Sequence, residues 1–106
     1  MNIQITARGY KAPGRLKRYL VDKINRKRHL YDEVIDVEII LSYEKQTQVA
    51  EIKLNLNHKS IFVCEKTDDI FKSIDYALDN TERQIKRYKQ KRREHNYQKI
   101  AEKLSV

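Results

Sequence analysis

Residue types able to do acid–base, nucleophilic or metal chemistry are sparse in this sequence. Its three histidines, His29, His58 and His95, have no metal-ligand spacing to one another or to the single cysteine, Cys64. They read as surface histidines, and neither a metal nor a cofactor is expected. Cys64 alternates out of phase with Ile61 and Val63, which places it on an open sheet face without an identifiable basic neighbour, so it reads as an inert thiol. Two glycines cannot build a phosphate-cradling loop or a nucleophile elbow. Asp75, Asp79 and Glu82, four and three residues apart, share one side of a helix. They resemble a carboxylate pair, yet a solvated stripe or a set of partners for a basic helix suits them better. The expectation is a protein that is not an enzyme.

Cations dominate what remains. The net charge is +8, and it is unevenly placed. Residues 11–28 hold eight Lys or Arg against one acid, Asp22, and residues 83–93, RQIKRYKQKRR, hold seven against none. The rest of the chain is net acidic. At helical spacing Arg83, Lys86, Arg87 and Lys91 stay near one line, while Lys89 and Arg93 flank the opposite edge of the apolar stripe. One or two cations near a helix C-terminus complement its dipole, each by ~0.3–1 kcal/mol. Seven exceed that need and repel one another unless an anionic partner is present. The earlier segment adds Arg15, Arg18, Lys23, Arg26 and Lys27. Side by side, the two clusters would merge into a surface broad enough for several phosphates, which points to nucleic acid. Tyr76, Tyr88 and Tyr97 could add stacking, although Tyr88 falls on the apolar stripe and is expected to pack.

The elements that must hold these cations follow from periodicity. NIQIT alternates as a strand, with Ile3 and Ile5 on one side. Pro13 suits a first helical position, and Leu16, Leu20 and Ile24, with Tyr19 and Lys23 beside them, mark a first helix ending between Arg28 and Tyr31. Val37, Ile39, Leu41 and Tyr43 share one side of a second strand. Ala50, Ile52, Leu54 and Leu56 do so in a third, and Ile61 and Val63 in a short fourth. Asn57, His58 and Lys59 form the turn between the last two, without the glycine a tight hairpin prefers. Thr67 or Asp68 is the expected cap of a second helix, whose stripe of Ile70, Phe71, Ile74, Ala77, Leu78, Thr81, Ile85 and Tyr88 implies about 20 to 25 residues. The order β-α-β-β-β-α predicts an α/β two-layer sandwich, like a double-stranded-RNA-binding domain. Its four-stranded mixed sheet has β1 parallel to β2 and both helices on one face.

At 106 residues the chain is sized for one domain. A lone cysteine, an N-terminus without a signal-peptide pattern and apolar runs far too short to cross a bilayer make a reducing, cytoplasmic setting the default, with no membrane partner.

The strings VEIILSYEK, AEIKLNLN and DDIFKSIDYALDNTERQIKRYKQK resemble the bacterial ribosome hibernation promoting factors of the short, single-domain class, which share their fold with the ribosome-associated translation inhibitors. The resemblance covers residues 1–95 and implies the β-α-β-β-β-α fold, with residues 96–106 as a C-terminal tail. It further implies binding in the small ribosomal subunit between head and body, in the channel of mRNA and tRNA, with the basic helices on 16S ribosomal RNA. By position the family pattern falls on Lys23, Arg26, Lys45, Arg83, Arg87, Lys89 and Lys91. Lys86, Arg92 and Arg93 are added on charge alone. The implied role, associated with stationary phase and stress, is to block translation and stabilise inactive ribosomes or ribosome dimers. The alternatives are an inhibitor that keeps ribosomes as inactive monomers, or a generic RNA-binding module. Long family members dimerise ribosomes through an additional domain, so this chain is expected to need a separate ribosome modulation factor for that, and to be a monomer off the ribosome. The tail NYQKIAEKLSV is short and not markedly acidic, which favours a promoting factor over an inhibitor.

Overall fold

The computed structural model describes the backbone of residues 1–104 and the side chains of residues 1–93. Its elements run β1 (Asn2–Ala7), α1 (Gly14–Arg26), β2 (Val34–Glu44), β3 (Thr47–Leu56), β4 (Lys59–Thr67) and α2 (Ile70–Leu104). The strands lie side by side in chain order. β1 runs parallel to β2 after the α1 crossover, and β2, β3 and β4 form an antiparallel meander. This is the expected two-layer sandwich.

One core explains it. Leu16, Leu20 and Ile24 of α1 and Ile74, Ala77, Leu78 and Ile85 of α2 cover the sheet side chains Val37, Ile39, Leu41, Ile52, Leu54, Ile61 and Val63. Each such aliphatic removed from water is worth roughly 1.5–3 kcal/mol, so alternation in the strands and the three-to-four spacing in the helices both converge on this layer. Ile3 and Ile5 pack at its edge. β2 departs from strict alternation: its register shifts between Val34 and Asp36. That bulge turns Ile35 outward, 56% exposed, and lets both Val34 and Val37 face the core.

Several sequence expectations shift. Pro13 is the N-cap residue of α1 rather than its first helical residue, and the helix ends at Arg26, before the Arg28–Tyr31 limit. The following residues close through successive backbone bonds, Leu30 N to Lys27 O at 2.8 Å and Tyr31 N to Arg28 O at 3.1 Å. Tyr43 is on the inward register but outside the buried core, 48% exposed, with its hydroxyl donating to Gly9 O at 3.3 Å and its ring 5.8 Å from that of Tyr10. The cap of α2 is Asp69, not Thr67 or Asp68: Asp69 Oδ1 accepts the Phe71 N–H at 2.8 Å. Thr67 instead accepts the Asp69 N–H at 3.0 Å and meets the Ser73 hydroxyl at 2.7 Å. The turn before β4 is Asn57–His58, and His58 supplies the left-handed backbone, φ 67°, that a glycine would otherwise provide. α2 spans 35 residues and passes residue 95 without a break.

Candidate nucleic-acid interface

α1 and α2 lie side by side and run in the same direction, because contacts between them advance together along both. Tyr19 and Lys23 meet Asp75, and Lys27 meets Glu82. Beyond α1, Tyr31 also reaches Glu82, Asp32 reaches Lys89, and Glu33 reaches Arg92. The seam is therefore a ladder of carboxylate acceptors met by phenol, ammonium and guanidinium donors.

The acids of α2 serve the first helix, as their spacing suggested for Asp75 and Glu82. Asp75 Oδ1 accepts from Tyr19 Oη at 2.6 Å and Lys23 Nζ at 2.8 Å. Partial burial pushes the Asp75 carboxyl up, but its bonds to Lys23 and Tyr19 outweigh that and hold it below the usual carboxylate range. The same bond raises Lys23. Glu82 is 5% exposed, with Lys27 Nζ at 2.6 Å on one oxygen and Tyr31 Oη at 3.0 Å on the other. Burial, then the Glu82 charge, drives the Tyr31 hydroxyl far above its ordinary value. Asp79, exposed, lines the groove between the helices with Arg26 and Lys27.

The sequence-nominated cations fall into two groups. Arg83, Lys86, Arg87 and Lys91 are exposed and make no ion pair among the described residues. They rise along the outer side of α2, opposite the core stripe, over a little more than two turns. Arg26 is likewise exposed and unpaired on α1. Lys23, Lys89 and Arg92 are held. Lys89 Nζ donates to Asp32 Oδ1 at 2.5 Å and to the His29 carbonyl at 3.3 Å. Arg92 forks onto both oxygens of Glu33, 2.7 Å from Oε2, with its guanidinium 5.7 Å from the centre of the Tyr88 ring. The Lys89 bond lowers Asp32, and the Glu33 bond raises Arg92.

Lys45 stands apart. It occupies the β2–β3 hairpin with φ 56°, at the end of the sheet where Gln48 O accepts from Ser73 of α2 at 2.8 Å. Tyr88 reaches Asn57 O at the other end, 3.2 Å away. From Ser73 to Tyr88 is about 22 Å of helix at ~1.5 Å per residue, so the hairpin and the α2 cluster are opposite ends of one face. Tyr88 is part-buried and packs as expected, whereas Tyr76 is 53% exposed beside Asp79 and Arg83. Cys64 is exposed, and partial burial followed by the Glu51 charge raises its thiol, opposite to activation. Among the described residues no His, Cys, Asp or Glu group could hold a metal ion, and no helix is long and apolar enough to cross a membrane. His95 and Tyr97 lie outside the described side chains.

Asp32 and Glu33 were not foreseen in this site. Their partners are 57 and 59 residues away, so no local spacing signals them.

A sequence profile of the family described as Sigma 54 modulation protein / S30EA ribosomal protein matches residues 3–93. The chain belongs to this family. The match takes in β1 from Ile3 on, the other three strands, all of α1 and the whole cationic stretch of α2. The chain is 26% identical over 95 residues to the ribosome hibernation promoting factor of Klebsiella oxytoca, covering 90% of this chain and 100% of that protein. It is 25% identical over 91 residues to the one of Pseudomonas putida, covering 86% and 89%. Among solved structures, a ribosomal subunit interface protein from Coxiella burnetii superposes with a TM-score of 0.79 at 26% identity, covering 84% of this chain and 98% of that one. The N-terminal domain of Thermus thermophilus Protein Y gives 0.74 at 28%, covering 83% and 99%. The family resemblance read from VEIILSYEK and the α2 string is thereby borne out, as is the fold it implied.

Proposed function

We propose that the chain is a ribosome hibernation factor, a non-enzymatic protein that binds the small ribosomal subunit in the mRNA and tRNA channel and holds the ribosome inactive. The observation that carries this is the outer side of α2, where Arg83, Lys86, Arg87 and Lys91 stand exposed and, among the described residues, outside any ion pair, on a domain that matches its family from residue 3 to residue 93. Four like charges within about two turns destabilise an isolated helix. Phosphates of 16S ribosomal RNA relieve that repulsion, and the cations of the helix in turn release counterions condensed on the RNA.

In this mechanism no bond is made or broken. Guanidinium and ammonium groups of α2, joined by Arg26 of α1 and by Lys45 at the far hairpin, fix the domain on the RNA backbone. Its bulk then excludes mRNA and tRNA. The sheet supplies rigidity, since the exposed cations ride on a helix anchored through Ile74, Ala77, Leu78 and Ile85. Residues 1–95 form the ribosome-binding domain and residues 96–106 a tail, and any pairing of ribosomes involves a separate modulation factor. The protein works in the cytoplasm, associated with ribosomes.

Sucrose-gradient sedimentation of the pure protein with ribosomes tests it. Co-migration with the small subunit that is lost when mRNA and tRNA are already bound supports occlusion of the channel. Equal co-migration with filled and empty ribosomes contradicts the placement, and binding to naked duplex RNA as tight as to ribosomes would favour a generic RNA-binding module.

A further inference from the structure

The cations of this face are of two kinds, and the difference has a chemical meaning. Arg83, Lys86, Arg87 and Lys91 present free charge to any polyanion. Lys89 and Arg92, on the same stretch of α2, are already occupied by carboxylates from the segment between α1 and β2. The occupancy imitates a phosphate contact. Arg92 engages Glu33 through a two-pronged fork, the geometry a guanidinium also offers to a phosphate. The Asp32 carboxylate is seated on Lys89 in a depression of about 600 Å³ that Lys86, Arg93 and His29 also line. It is the single carboxylate among those lining residues.

We propose that Asp32 and Glu33 are specificity-determining residues that act as internal phosphate surrogates. They hold Lys89 and Arg92 closed to ordinary RNA and yield them only to a partner whose phosphates are spaced to engage the free cations first. This rests on the ribosomal-RNA-binding reading above and concerns how the same surface discriminates. The Asp32 side chain is 60% exposed over a Lys89 that is 17% exposed, and Glu33 and Arg92 are 33% and 45% exposed; pairs open to solvent on at least one side contribute modestly to folding, so the carboxylates can leave without unfolding the domain. Their departure still costs binding energy, and that cost falls on every RNA alike. A flexible single strand, held by two or three free cations, does not recover it. A rigid RNA surface already fixed by Arg83, Lys86, Arg87 and Lys91 places further phosphates at the depression without additional loss of freedom. Discrimination by displacing built-in anions needs no base contact.

The test compares the full chain with its Asp32→Asn/Glu33→Gln variant on two probes, poly(U) and small ribosomal subunits, across a salt series. A control variant, Glu38→Gln/Glu51→Gln, removes the same charge from the sheet face away from the helices. The expected result is several-fold tighter poly(U) binding by D32N/E33Q alone. Its log–log salt slope should be steeper by about 1.4, since two more single-strand contacts form at ~0.7 each. Subunit affinity should change less, so the preference for the subunit narrows. The alanine pair, D32A/E33A, which removes the acceptors altogether, should move the same way. Poly(U) affinity and slope equal to the unmodified chain would overturn the proposal, leaving the two pairs as tethers of the loop. A rise matched by the control would overturn it too, as an effect of net charge. Failure of the unmodified chain to bind subunits would instead sink the ribosomal reading, so the two failures are read from different arms.

Discussion

Glu82 and Tyr31 meet in the interior of the seam between α1 and α2, the phenol donating to the carboxylate at 3.0 Å while Lys27 closes the other oxygen at 2.6 Å. Both Glu82 and Tyr31 are almost wholly buried. A carboxylate in that position is tolerable only because both of its oxygens are satisfied, and the same contact fixes where α1 ends relative to α2.

Removing one partner exposes that dependence. Glu82→Ala leaves the Tyr31 hydroxyl buried without an acceptor, so stability should fall by about 1–3 kcal/mol in urea denaturation. Tyr31→Phe, which keeps the packing, should cost less than Tyr31→Ala.

Asp75 sets an acid limit. Lys23 and Tyr19 hold its folded-state carboxyl below the ordinary range, so the unfolded chain binds this proton more tightly than the folded one. The contribution is therefore complete above the unfolded value near ~3.9 and is lost as pH falls through the lower folded one. With both side chains more than a third exposed, screening keeps it to roughly 0.2–1 kcal/mol. Asp75→Asn should be less stable than the unmodified chain at pH 7 and equal to it at the acid end of a pH series of urea melts.

Gly9 has φ +84°, and a Cβ there would come 3.4 Å from the Tyr43 ring. Gly9→Ala should cost on the order of 1 kcal/mol through the left-handed backbone alone, with more if Tyr43 is displaced. The thermal midpoint should fall while any ribosome binding through the α2 cations proposed above is retained.

How much of this was legible beforehand differs by element. Strand alternation in AEIKLNLN and the stripe from Ile70 to Ile85 identified the sheet and α2 correctly, because a single buried face imposes a period that is written locally. The cationic content of residues 83–93 was equally plain. What stayed hidden were tertiary partnerships. Nothing near Lys89 announces Asp32, and nothing near Tyr31 announces Glu82, since those contacts exist only once α1 lies against α2. Lys23, expected as a binding cation, also pairs with Asp75, a contact that no local spacing announces. Tyr43 fits the core register of β2, yet it stays outside the buried core, beside Tyr10. The cap of α2, expected at Thr67 or Asp68, is Asp69, because all three are competent capping residues and only backbone geometry selects among them.

The division between free and held cations also decides which substitutions report on binding. Reversing Lys89 breaks its bonds to Asp32 and to the His29 carbonyl, so its effect would mix folding with recognition. Among the described residues Arg83, Arg87 and Lys91 have no such partners. The most direct test of the account is therefore co-sedimentation of Arg83→Glu/Arg87→Glu/Lys91→Glu with small ribosomal subunits across a salt series, beside its urea denaturation curve. The account predicts that association is lost, with a thermodynamic stability close to that of the unmodified chain. Undiminished co-sedimentation with an unchanged salt slope would contradict it.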